Sequence, residues 1–226
     1  MTPGISNSSS SLLRLLQLTS PALPVGAYSY SEGLEALVEA GLTSPPDILR
    51  WLQQELAGGL VRLDGAVVDR VHRAALAGDG AAIAAWNQWL SALREGEESR
   101  QQSWAMGRAL GRLMADLQPA LPIPLSPPWN FAVIFALAAH HWQMSTEMAV
   151  LGYLHSWASN LITNAVKLVP LGQTQGQQLL LDLYPALEGA TQHCQGLEAD
   201  DLTLSSWGTG LAAMHHETMY TRLFRS

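Results

Sequence analysis

Apolar residues recur at three- and four-residue steps along most of this chain, and long stretches lack the every-second-residue alternation of a strand. Leu49, Leu52, Leu56, Leu60 and Leu63 form one such stripe, the kind of face a helix turns to a core. It follows Ser44-Pro45-Pro46-Asp47. There a hydroxyl can cap, the prolines need no N–H partner, and an acid meets the positive end of the helix. The pattern continues through 65–77, 81–94 and 99–117, each bounded by Gly, Asp or Ser. Earlier, Leu12–Leu18 reads as a short apolar helix stopped by Ser20-Pro21-Ala22-Leu23-Pro24, after a disordered segment 1–11. A second helix is expected from Ser29, with Glu32 at capping-box spacing and Gly41 closing it. The prolines from Pro119 to Pro128 exclude helix and read as a long internal loop. Ser145–Val169 is the expected central helix, followed by two shorter helices and a last one near Leu211–Met219. The expectation is an all-α, single-domain multi-helix bundle over residues 12–226, built around that long helix.

Composition narrows the class. The chain has 226 residues, 48% hydrophobic and 14% charged, which suits one sizeable core. A net charge of −7 and a pI near 5.4 lack the basic footprint of a nucleic-acid binder. The single cysteine, Cys194, excludes an internal disulfide framework and a thiolate zinc cluster. No basic start followed by a long apolar run marks a signal peptide. The best membrane candidate, Phe131–Ala139, is far short of the ~20 apolar residues a spanning helix needs. A cytoplasmic, water-soluble protein without nucleic-acid or membrane contacts is expected.

Catalytic chemistry finds little support. His140-His141, His193-Cys194 and His215-His216-Glu217 suggest metal at first sight. Adjacent residues on a helix point about 100° apart, however, and no His-Glu-x-x-His spacing presents two rings on one face. No Gly-x-Ser-x-Gly elbow occurs. The run from Gly172 to Gln177 lacks the lysine that would grip a terminal phosphate. No catalytic residue, metal ligand or cofactor is assigned.

Two features point elsewhere. On the central helix, Tyr153, Trp157, Asn160, Asn164 and Lys167 (the only lysine) form a polar stripe, costly to bury unless paired. It suits an internal network, an exposed face or a surface for another subunit. The tail Tyr220-Thr221-Arg222-Leu223-Phe224-Arg225-Ser226 places two arginines and two large apolar groups at the end of an acidic sequence. Two dockings are open, on a partner or on the chain's own core. Partner docking is favoured, and with it a free chain whose melting does not depend on the tail.

Three segments together resemble the urease accessory protein F family (UreF). They run from Ser20 through Pro24-Val25-Gly26-Ala27-Tyr28-Ser29-Tyr30-Ser31-Glu32-Gly33-Leu34-Glu35, from Val166-Lys167 through Pro170-Leu171-Gly172 to Gln177, and from His216-Glu217 to Ser226. Glu32 stands where the family more often has Gln, Tyr28 where Phe is usual, and Ala136 where Gly is. The resemblance implies an all-α, homodimer-forming scaffold that is not an enzyme. It also implies partners: UreD (also called UreH), the GTPase UreG and urease apoprotein, into which nickel is inserted with GTP hydrolysis. On this resemblance Tyr220, Arg222, Leu223, Phe224 and Arg225 face UreD, while Tyr28 and Lys167 lie towards UreG. A nickel carrier that binds the metal itself, or a helical metallohydrolase using His140, His141, His215 or His216, are the rivals. The missing ligand constellation favours the scaffold over both.

Overall fold

The computed structural model describes residues 7–94, 96–118, 128–205 and 207–226. Among the described residues ten α-helices follow in order: α1 (Asn7–Leu18), α2 (Leu34–Glu39), α3 (Pro45–Gly58), α4 (Leu60–Ala77), α5 (Gly80–Leu93), α6 (Glu97–Leu117), α7 (Phe131–His141), α8 (Thr146–Leu168), α9 (Gln173–Gly196) and α10 (Trp207–His216). No strand occurs among the described residues, so the fold is the expected all-α one. Side-chain oxygens of Ser44, Asp79 and Ser145 accept the backbone N–H three residues on, at 3.3, 2.9 and 3.1 Å. Those bonds start α3, α5 and α8.

Three boundaries differ from the sequence expectation. α1 begins at Asn7 rather than Leu12; serine is a tolerable helix former, and the packed end at Leu18 lets the helix propagate backwards. α2 begins at Leu34, not Ser29, for reasons that belong to the site below. The two shorter helices expected after Pro170 are one, α9, which runs through Pro185. Pro185 and Leu181 both face solvent, so the carbonyl that loses its N–H partner meets water and the helix continues. Of the expected proline-rich loop, all but Pro128 lies outside the described residues.

α8 runs through the middle and packs against α4, α7 and α9. Its first apolar stripe is buried at Leu154, Ala158, Leu161 and Ala165. Next to it a carboxylate is enclosed. Asp64 of α4 accepts Arg94 Nη2 on both carboxylate oxygens, at 2.6 and 2.8 Å, and the Tyr153 hydroxyl at 2.9 Å. Burial, reinforced by Asp64, pushes the Tyr153 phenol well above its ordinary value. Burial alone would lower Arg94, but Asp64 and Tyr153 more than offset it and the guanidinium is held above its usual range.

Removing one partner of such a pair strands the other charge in the core, at about 3–5 kcal/mol. Asp64→Ala is therefore expected to lower the melting temperature by about 10 °C, at roughly 2–4 °C per kcal/mol for a chain of this size. Thermal unfolding followed by circular dichroism reads this directly.

Candidate partner-binding site

The loop between α1 and α2 builds the floor of the site. Gly26 (φ 80°), Glu32 (φ 53°) and Gly33 (φ 84°) all take left-handed backbone, so the chain turns twice before α2 can start. Gly33 is required for a second reason: a Cβ there would lie 2.8 Å from the backbone nitrogen of Ala213, because α10 sits directly on it. The expected capping box does not form. The Ser29 hydroxyl donates to Gly26 O at 2.8 Å. The Glu32 carboxylate turns inward and accepts from Trp157 Nε1 at 2.8 Å and Gln102 Nε2 at 3.0 Å. Burial pushes the Glu32 carboxyl above its ordinary value, against the lowering effect of the Trp157 bond.

Most of the polar stripe on α8 belongs to this loop. Asn160 and Asn164 donate to Ala27 O and Tyr30 O, at 3.0 and 2.7 Å, Trp157 holds Glu32, and Tyr153 holds Asp64. Of the readings open for the stripe, the internal network accounts for these four residues. Lys167, the last of them, is exposed, with Nζ 5.6 Å from the centre of the Phe224 ring.

That contact brings in the tail, which is seated on its own chain. Ser226 O accepts from Ser31 N, Ser31 Oγ and Glu32 N, at 2.5, 2.6 and 3.1 Å, and Arg225 N donates to Ser29 O at 2.8 Å. Glu35 of α2 accepts Leu223 N at 2.7 Å and Phe224 N at 3.0 Å. Arg222 donates to Glu98 of α6 at 2.5 Å. Phe224 is only 6% exposed. The sequence reading had favoured a tail docked on a partner alone; the acceptors that Glu35, Ser29 and Ser226 supply or receive are instead intramolecular. The residues assigned to partners thus divide. Phe224 is an anchor in the chain's own core, and Arg222 is half used by Glu98. Tyr220, Leu223, Arg225, Tyr28 and Lys167 face outward. The tail set and the Tyr28–Lys167 set adjoin across Arg225, Ser29 and Phe224, forming one surface rather than two.

Sequence reasoning missed Glu35, Glu98, Gln102 and Ser31, and weighed His216 only as a metal or helix-end residue. Each acts on partners more than 60 positions away, beyond the reach of any local spacing rule. Among the described residues no group of three or more His, Cys, Asp or Glu could hold a metal ion. His193 faces the Arg62 guanidinium at 3.2 Å, and Cys194 is fully buried with its thiol pushed up to about 12 by desolvation, an inert side chain.

Two outcomes follow for the tail. Phe224→Ala removes a buried ring and should cost the free chain about 1.5–3 kcal/mol, seen as a lowered melting temperature. Burial alone would raise the Glu35 carboxyl, but the Leu223 and Phe224 N–H groups and His216 more than offset it and hold it below its ordinary 4.5. Its stabilisation of the seat is complete above that value and is lost as acid protonates Glu35 below it. Amide resonances of Leu223 and Phe224 should therefore move to disordered positions as the pH falls below the carboxylate range.

Relatives give the family. A family model described as UreF matches residues 42–184. A urease accessory protein UreF of Trichormus variabilis is 52% identical over 218 residues, covering 95% of each chain. One of Synechocystis sp. is 48% identical over 236 residues, covering 97% of this chain and 99% of its own. One of Alkalilimnicola ehrlichii is 41% identical over 220 residues, covering 94% and 95%. With a fold that is all-α and this identity over nearly its whole length, the chain belongs to the UreF family of urease accessory proteins.

Proposed function

We propose that this chain is a non-enzymatic scaffold of urease maturation in the cytoplasm. With UreD (UreH) and the GTPase UreG it supports GTP-dependent insertion of nickel into urease apoprotein. The observation that carries the reading is the single outward surface on a UreF-family chain where the seated tail meets the Tyr28 loop and Lys167. Tyr220, Arg222, Leu223 and Arg225, held in place by the buried Phe224, are the side towards UreD. Tyr28 and Lys167 are the side towards UreG. Tyr220 and Leu223 stand 104% and 64% exposed, apolar groups that gain most from a covering partner. No described helix is long and apolar enough to cross a membrane, and the chain's charge of −7 repels nucleic acid.

The scaffold is proposed to work as a homodimer, with the second copy on the face of α1, α8 and α9. Leu12, Leu13 and Leu16 of α1 and Leu181 and Tyr184 of α9 are exposed. Leu16 and Tyr184 line an apolar groove with Leu15, Leu151, Gly152 and His155. Like charges on two copies of an acidic chain repel, so self-association needs a patch with few carboxylates; among the described residues lining this groove Glu188 is the one acid. Leu16→Glu should give a monomer by light scattering, with the helical spectrum retained. An unchanged mass would remove this face from the dimer.

Two variants test the partner surface. Lys167→Ala leaves a good helix former and removes a ring contact worth about 0.5–1 kcal/mol at an exposed site. It should melt nearly as wild type and retain UreD, yet lose UreG from the assembly recovered with all accessory proteins present. Tyr220→Ala combined with Leu223→Ala should also keep its stability within about 1 kcal/mol, since both side chains are exposed, while binding UreD at least about tenfold more weakly. Undiminished capture of both partners by both variants would overturn the scaffold surface.

A further inference from the structure

Tyr28 is exposed and sits in the middle of a single 3-10 turn, Ala27–Ser29, that follows the left-handed Gly26. Packing does little to place this turn. A Cβ on Gly26 would meet nothing within 4 Å, so that flank is open. A cavity is lined by Ala27 and Tyr28 of the turn and by Ser156, Ser159, Asn160 and Thr163 of α8, so the turn and the helix do not close onto each other there. What remains to fix the turn is hydrogen bonding.

Among the described residues, the bonds that reach residues 27–30 from elsewhere in the fold come from three donors. Asn160 Nδ2 donates to Ala27 O at 3.0 Å, with Tyr30 O at 3.5 Å. Asn164 Nδ2 donates to Tyr30 O at 2.7 Å, and Arg225 N to Ser29 O at 2.8 Å. Tyr30 is already buried in the core, so Asn164 reinforces a point that packing fixes. Arg225 belongs to the tail. Asn160 is therefore the side chain by which the helical core itself holds the turn. It stands seven positions before Lys167 on α8. Seven residues are nearly two turns, so the two lie on the same face, about 10 Å apart along the axis.

We propose that Asn160 is a positioning residue for the partner surface: its amide fixes the Tyr28 turn to α8 and thereby sets the spacing between Tyr28 and Lys167. Asn160 acts through Ala27 O. Two contacts carried on one rigid helix bind with less loss of freedom than a contact on the helix and another on a mobile turn. Without the Asn160 amide the turn between Val25 and Tyr30 hangs on Arg225 alone, and so on the state of the tail. The partner named for this surface rests on the scaffold reading above; the hold on the turn does not.

The test uses the full chain. Asn160→Leu keeps the outline of the side chain and removes its N–H donors, so a role in packing alone would survive it. The readout in the free chain is hydrogen exchange at the Ser29 and Tyr30 amides, which close the turn onto Gly26 O and Ala27 O at 3.1 Å each. Expected is exchange at least about tenfold faster at these two amides, with the melting temperature near that of wild type. With the other accessory proteins present, UreG capture should weaken at least about tenfold while UreD capture is retained. Asn160→Ala carries the same expectations and serves where the leucine variant does not fold. Tyr28→Ala separates the inference from the reading beneath it. Full capture of UreG by Tyr28→Ala overturns the surface reading and the positioning role together. Loss of UreG in Tyr28→Ala but not in Asn160→Leu, or turn amides that exchange as in wild type, overturns the role of Asn160 alone. A variant that loses UreD and UreG together with its stability assigns Asn160 to the general fold and also overturns the proposal.

Discussion

The enclosure of the Asp64 carboxylate is the constraint on which the site depends. Arg94 cannot leave it without stranding a charge in the core, so the end of α5 is pinned to α4. The same guanidinium donates to Ser99 at 3.2 Å, and Arg100 donates to Arg94 O at 3.0 Å. The first turn of α6 is thereby placed, and with it Glu98 and Gln102. Those two residues receive His216, Arg222 and Ser226. A pair formed between α4 and the end of α5 thus decides where the last ten residues of the sequence can sit. Tyr153 closes the circuit from α8, whose next polar residues hold the Ala27–Glu32 loop beneath the tail.

How much of this was legible in the sequence follows the range of the forces involved. Helix starts at Ser44 and Ser145, the apolar face of α8 and the closing turn at Gly41 rest on contacts within a few residues, and spacing reveals them. α2 was misplaced because Ser29 and Glu32 satisfy a local capping rule that a tertiary demand overrides. Trp157 and Gln102, from two other helices, draw the Glu32 carboxylate inward and force left-handed backbone on it. α9 is one helix where two were expected; Pro185 costs it little, because the carbonyl it leaves without a partner faces solvent. At the site, Tyr28, Lys167 and the tail were singled out by oddity of composition and by resemblance. Their acceptors were not, since Glu35 and Glu98 look on the sequence like ordinary solvated acids.

The tail shows how an acidic chain can hold a basic, apolar end without a large apolar groove. Phe224 is its one deeply buried large side chain; Leu223 and Tyr220 gain nothing from the free fold. Most of the seat is backbone hydrogen bonding: Glu35 and Ser29 O accept tail amides, while Ser31 and Glu32 donate to Ser226 O. Bonds to an ionised carboxylate are worth about 1.5–3 kcal/mol each, enough to offset the ordering of a few residues. Such a seat leaves the Tyr220 and Leu223 side chains exposed. A segment fixed through its backbone presents its side chains in a set geometry, which is what a docking surface requires if binding is not to be weakened by ordering costs.

Under the scaffold role, this arrangement links the two partner sides thermodynamically. Arg225 bonds to the carbonyl of Ser29, one residue from Tyr28, and Phe224 lies under Lys167. Seating the tail therefore orders part of the surface assigned to UreG, and a partner that holds Tyr28 and Lys167 in place favours the seated tail. Whatever free energy UreD spends on, or gains from, the state of the tail must be returned to the binding of UreG by the same amount, because linkage between two sites is reciprocal. The coupling needs no movement of the helical core. It requires only that the tail have two states separated by a few kcal/mol, and a seat made of one buried ring and a cluster of carboxylate-bound amides and cations is of that order.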